Sequence, residues 1–140
     1  MPGTHRIDVL LAVAAGGALG SLARYGLAVA LPHPPGGFAV ATLLANVAGC
    51  LLIGVLMAVL LRARRPHRLL RPFFGVGMLG GFTTFSTYVL DAVESVQLGR
   101  PAIALLYATI SVLVSLAAVA AGWSAAHALL RRRVLTRSAS

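Results

Sequence analysis

Apolar residues run through this chain in four long blocks, at about 9–31, 38–61, 69–98 and 101–130. Each block exceeds the ~20 residues that cross the hydrocarbon of a bilayer as helix. Short polar stretches divide them: PHPPGG (Pro32–Gly37), RARRPHR (Arg62–Arg68) and GRP (Gly99–Pro101). Pro at a first helical position and Gly just past a helix end are ordinary punctuation. Connections this short make neighbouring helices antiparallel. The pattern predicts an all-α membrane protein with four transmembrane helices, one domain over residues 1–140. The first block is too long for a cleaved leader, has little charge ahead of it and is interrupted by Arg24.

The third block departs from the other three. Gly80–Asp91 reads GGFTTFSTYVLD, two adjacent glycines followed by the hydroxyls of Thr83, Thr84, Ser86 and Thr87. The expected outcome is a helix broken at mid-membrane, with its first half ending ahead of Gly80. A bilayer interior tolerates broken backbone only where protein buries it or a polar cavity borders it. Carbonyls at the end of a half-helix carry partial negative charge and suit a hard cation. Phe85 and Tyr88, at i and i+3, share nearly one face. Their electropositive ring edges can favour a small anion, and plain packing against lipid or core is the other reading.

Composition sharpens this picture. The chain is 59% hydrophobic and only 11% charged, far from the balance of a soluble domain. All twelve cations are Arg, clustered at Arg62–Arg71 and Arg131–Arg137. Such clusters between apolar blocks read as juxtamembrane, not as a nucleic-acid surface. With both termini on one side, that side holds Arg6, Arg62, Arg64, Arg65, Arg68, Arg71, Arg131, Arg132, Arg133 and Arg137, ten in all, against Arg24 and Arg100 opposite. The positive-inside rule then places both termini in the cytoplasm, on a multi-pass protein of the cell membrane. Cys50 stands alone, which excludes an intrachain disulfide and suggests a small buried hydrophobe. His5, His33, His67 and His127 lie near loops or ends with no metal-binding spacing.

Several polar or small residues fall inside the spans. Gly16 and Gly20 are spaced G-x-x-x-G, as are Gly77 and Gly81, and Ala45 with Gly49 is a similar small pair; this spacing favours close helix approach. Asn46 is an amide near the middle of the second span, either an interhelical contact or a donor aimed into a pore. Tyr107, Ser111 and Ser115 recur every four residues, hence on one helical face. They form a polar track or simply bond back to their own helix. Arg24 either snorkels to the outer headgroups or makes an electropositive vestibule. Only Asp8, Asp91 and Glu94 are acidic, and none is mid-membrane in spans one, two or four. Proton-coupled transport usually needs such a group, so passive conduction is favoured over a small proton-coupled cation exporter. A non-conducting assembly subunit is a further alternative. No nucleophile–base pair suggests an enzyme.

At these residues the chain resembles the Fluc/CrcB fluoride channels. The likeness spans nearly the whole chain and is strongest at GGALGSLARY (Gly16–Tyr25), LLANVAGCLLIG (Leu43–Gly54) and GGFTTFST (Gly80–Thr87). The resemblance implies an antiparallel dimer with two pores, passing fluoride passively out of the cell. It implies a structural sodium ion at the dimer interface, held by the backbone carbonyls of Gly80 and Thr83. It implies pore-lining roles for Asn46, Phe85, Tyr88, Tyr107, Ser111 and Ser115, with the hydroxyls of Thr84, Ser86 and Thr87 beside them. Arg24 corresponds to its first-span arginine and Asp91 to its acidic mouth position. The family usually has Phe where this chain has Tyr88. Self-pairing in both orientations calls for balanced basic residues, yet here they stand ten to two. The chain is therefore expected to be one half of a heterodimer whose homologous partner has the opposite Arg bias; a homodimer of trapped inverted copies is the competing reading.

Overall fold

The computed structural model describes residues 4–63 and 65–137, with side chains over 6–63 and 65–131. The sequence expectations for Arg64, and for the side chains of His5, Arg132, Arg133 and Arg137, lie outside the described residues. The chain is all helical: α1 (Thr4–Ala30), α2 (Val40–Arg62), a π-helical stretch Arg71–Leu79 passing directly into the short α3 (Gly80–Phe82), then α4 (Ser86–Gln97) and α5 (Pro101–Arg137). Four helical segments are long and apolar enough to cross a membrane: Arg6–Ala30, Val40–Arg62, Arg71–Gln97 and Pro101–Arg131. Pro72 enters its helix in the first turn, where its missing N–H breaks no bond.

The interior is built from small residues. Ala39, Ala41, Ala45, Ala58, Ala104, Ala118 and Ala126 are buried, while Leu10, Leu22, Leu105, Leu113 and Leu116 face outward. This reverses the soluble arrangement. It suits lipid, which gives Leu no reason to hide and leaves close backbone contact as the main source of cohesion.

Two helix pairs result. In the first, the two G-x-x-x-G pairs lie face to face. A Cβ added to Gly16 would sit 2.3 Å from Phe73 O, and one on Gly81 would sit 2.6 Å from Gly17 O. In the second, α2 rests on α5 through Gly54, whose added Cβ would lie 2.3 Å from Val119 O, and Gly122, 2.1 Å from Leu51 O. At one end of the molecule the 32–37 loop meets the turn before α5. Arg100 Nη1 donates to Gly36 O at 3.4 Å, and Leu98 packs on Gly36, which adopts φ +65°. The opposite end ties Arg68 to Asp8 and Arg62 to His127. Successive spans therefore alternate in direction.

Candidate functional site

Helical geometry continues through Gly80 (φ −64°, ψ −35°) and ends at Phe82. The expected stop ahead of Gly80 is thus corrected by three residues. Glycine permits a break but does not impose one, and here its missing side chain serves the contact with α1 instead. Leu79 O accepts both the Thr83 amide (3.0 Å) and Thr83 Oγ1 (2.9 Å). Thr83 then turns extended, at φ −77° and ψ 158°.

Asn46 sets the path of the chain beyond Thr83. In an unbroken helix the Thr84 amide would close on Gly80 O. It donates instead to Asn46 Oδ1 at 2.8 Å, and Asn46 Nδ2 donates to Thr84 O at 2.9 Å. One side-chain amide on α2 thereby satisfies both backbone groups of a residue outside the helix. Such groups cannot be left bare inside hydrocarbon. An amide fits because it carries donor and acceptor in one plane, and its second N–H remains available. Gly49 makes the approach possible, since a Cβ there would lie 2.3 Å from Thr83 Cγ2.

Thr84 also braces the first turn of α4. Its Oγ1 accepts the Thr87 amide at 3.2 Å, donates to Thr87 Oγ1 at 3.0 Å and lies 3.3 Å from Ser86 Oγ. Thr84 stands one residue ahead of the N-cap, Phe85, and its hydroxyl covers one of the free amides of the first turn. The Thr87 amide is consequently diverted from Thr83 O, as the Thr84 amide is from Gly80 O. On the other side, Arg24 Nε donates to Gly81 O at 3.2 Å, so this side chain is anchored at the end of α3.

A groove of about 330 Å³ opens between α2, the Thr83–Phe85 stretch and α5. Asn46, Thr83, Thr84, Phe85, Tyr88, Ser111 and Ser115 line it, with Cys50, Ile53, Val112, Leu116 and Val119 completing the walls. Among the described residues, the Ser111 hydroxyl is buried without a partner. A buried polar atom left unpaired is costly, and a guest acceptor would relieve it. The surrounding donors are all uncharged.

From the groove a row of rings leads toward the 32–37 loop. Phe85 and Tyr88 have centroids 5.7 Å apart, as do Tyr88 and Tyr107, and Phe38 meets Tyr107 edge-on at 5.2 Å. Tyr107 Oη donates to Asp91 Oδ2 at 3.3 Å, and His33 Nε2 lies 4.0 Å from Asp91 Oδ1. The Tyr88 hydroxyl donates to Ala108 O over a long 3.4 Å. Phe85 is 78% exposed, so the groove lacks a wall on its side.

The fold gathers seven of the sequence-derived residues around the groove and leaves others beside it. Ser86 and Thr87 attend Thr84, while Tyr107 and Asp91 stand along the ring row. Cys50, expected as a buried hydrophobe, is half-buried on the groove wall. Sequence reasoning missed Phe38 and His33 as neighbours of the Tyr107–Asp91 pair; both are loop residues with no periodic signal. Among the described residues, His, Cys, Asp and Glu form no cluster of three or more suited to a metal.

Comparison with known proteins bears on the whole arrangement. The family described as CrcB-like protein, Camphor Resistance (CrcB), matches residues 11–123. A protein of Thermobifida fusca named fluoride-specific ion channel FluC 2 is 52% identical over 124 residues, covering 89% of this chain and 92% of the relative. One of Nocardia farcinica with the same name is 50% identical, covering 85% of each chain. One of Streptomyces coelicolor, named fluoride-specific ion channel FluC 1, is 47% identical, covering 91% of this chain and 79% of the relative. The match takes in α1, α2, the Thr83–Phe85 stretch and the groove-lining part of α5 together, and the chain belongs to the CrcB family.

Proposed function

We propose that this chain is a subunit of a fluoride-selective channel that lets the ion leak passively out of the cell and so confers fluoride resistance. The carrying observation is the groove at Thr83–Phe85, where neutral donors and ring edges stand together and the buried Ser111 hydroxyl has no partner. Fluoride is small and firmly hydrated, so dehydration needs close, hard donors. Asn46, Ser111 and Ser115 supply them, Thr84 lines the groove beside them, and Phe85 and Tyr88 add positive ring edges. Tyr107 and Asp91 continue the path toward the mouth. Among the described residues no fixed cation lines the groove, and conduction requires sites weak enough to release the ion. The names of the family relatives point to the same ion.

In this reading the third span is a membrane helix broken at mid-depth, and a second, antiparallel chain closes the side left open at Phe85. The break also fits a structural sodium ion. The carbonyls of Gly80 and Thr83 are the two whose expected helical donors, the Thr84 and Thr87 amides, are taken by Asn46 and Thr84 side chains. A sodium ion would neutralise them at the interface. One chain offers this pair, and an antiparallel partner would double it.

The partner is a homologous chain with opposite Arg bias, and this chain has both termini in the cytoplasm. The support is the ten-to-two count in the sequence. The numerals in the relatives' names, which mark more than one such chain per organism, agree with this. Liposome efflux is the test. With a co-purified homologue, fluoride should leave rapidly while chloride stays; the chain alone should give the background of bare lipid. Rapid efflux from the chain alone would overturn the heterodimer and keep the channel. Background leakage with every homologue of the host would overturn the channel.

A further inference from the structure

The end of the molecule opposite the 32–37 loop holds a feature that conduction does not use. Trp123, His127 and Arg131 succeed one another at intervals of four along α5, and so share one face. Trp123 stacks on His127, with centroids 6.2 Å apart and planes 19° apart. Arg62, the last residue of α2, donates from Nη2 to His127 Nε2 at 2.9 Å. Arg62 and Arg131 are exposed, and Trp123 is 37% exposed. Successive residues of the stripe rise by roughly 6 Å. The indole is thus the deepest group, the Arg62–His127 pair lies one turn above it, and Arg131 lies another turn above.

Among the described residues, this corner has cations and no carboxylate counterion. Of the three carboxylates, Asp8 is engaged by Arg68, and Asp91 and Glu94 belong to α4. His127 accepts from Arg62 and so offers no negative charge. An indole with guanidinium groups one and two turns above it matches the layering of a membrane interface. Guanidinium groups bind phosphate in bidentate fashion. We propose that Arg62, His127, Trp123 and Arg131 form a headgroup site for an anionic phospholipid at the α2–α5 corner. The phosphate sits between Arg62 and Arg131 and the acyl chains descend past Trp123. Occupancy neutralises the corner and pins the α2–α5 pair, the groove's two walls, at one bilayer depth. The site does not depend on which ion the groove passes.

Trp123 is the only tryptophan in the chain, which makes it a local reporter. The full chain, in the assembly in which it purifies, is titrated in detergent with phosphatidylglycerol or phosphatidylcholine, and a Trp123→Phe sample is subtracted. Phosphatidylglycerol should saturate the emission change at no more than about one-tenth of the phosphatidylcholine concentration, a preference worth about 1.4 kcal/mol. Arg62→Gln with Arg131→Gln should abolish the preference. The charge-matched pair Arg6→Gln with Arg65→Gln should retain it, with far-ultraviolet circular dichroism reporting intact helices in both. Equal responses to the two lipids overturn the proposal. So does loss of preference in the Arg6/Arg65 pair, which would mean a diffuse field and not a site. An equal response to inorganic phosphate would also overturn it, because the lipid would then be dispensable.

Discussion

The two sides of the third span obey opposite packing rules. Toward α1 it presents glycine to glycine, so close that a Cβ on Gly20 would sit 2.0 Å from Met78 O. Side chains are excluded there and the contact is almost pure backbone. Toward α2 and α5 the same span presents Thr83, Thr84, Phe85 and Tyr88 to a groove of about 330 Å³. Side chains decide everything on that face, through the paired bonds between Asn46 and Thr84. The rigid face is what permits the open one. A segment outside regular helix, with its amides diverted from the carbonyls of Gly80 and Thr83, holds its course only if something else fixes its place.

The largest effect should come from spoiling the close face. Gly20→Val forces a branched side chain into the Met78 backbone, and the loss should reach roughly 3 kcal/mol or more. Size-exclusion chromatography should show aggregated or absent protein. A monodisperse, conducting variant would mean that the two faces are independent.

Asn46→Asp attacks the open face directly. The carboxylate keeps an acceptor for the Thr84 amide but loses the donor for Thr84 O, and it adds negative charge to the groove. Leaving that carbonyl bare costs ~1–3 kcal/mol, and with charge repulsion added efflux should fall roughly 100-fold. The protein should still fold, and fluoride-electrode recordings from proteoliposomes would read the change.

Ser111→Ala sharpens the contrast, because stability and conduction should move in opposite directions. Removing a buried hydroxyl that has no partner should stabilise the protein by up to ~1 kcal/mol. The same change should slow efflux by about tenfold, the equivalent of one modest hydrogen bond to the ion. A thermal melt beside the efflux assay tests both, and a drop in melting temperature would mean that Ser111 serves packing alone.

Tyr88→Phe should matter least. It restores the family's usual residue and gives up a 3.4 Å bond to Ala108 O. A bond that long is weak, so efflux should change by less than about threefold. A larger change would give the Tyr88 hydroxyl a direct part in the path.

The four spans were legible because hydrocarbon imposes a length and a polarity on each crossing, and both are written in the residue order. The ends of the helices held to within a few residues for the same reason. The stretch at Gly80–Thr87 was legible as irregular, but its register was not. Glycine pairs looked like the breakpoint, whereas Thr83 bonding back to Leu79 and Asn46 seizing the Thr84 backbone move it downstream. Asn46 read equally well as a packing contact or as a donor. It serves as a clip with one N–H to spare, which depends on Thr84 lying across from it, 38 residues away in the chain.

Residue order alone determined that this chain lives in a membrane, crosses it four times and has polar groups where lipid forbids them idly. Those properties come from solvation, which each residue experiences largely by itself. Tertiary structure decided which glycines face which backbone, that Cys50 borders the groove, that Arg24 reaches Gly81 O, and that Ser111 is left without a partner. Those depend on distances between helices, set jointly by atoms far apart in the chain, and no local pattern encodes them.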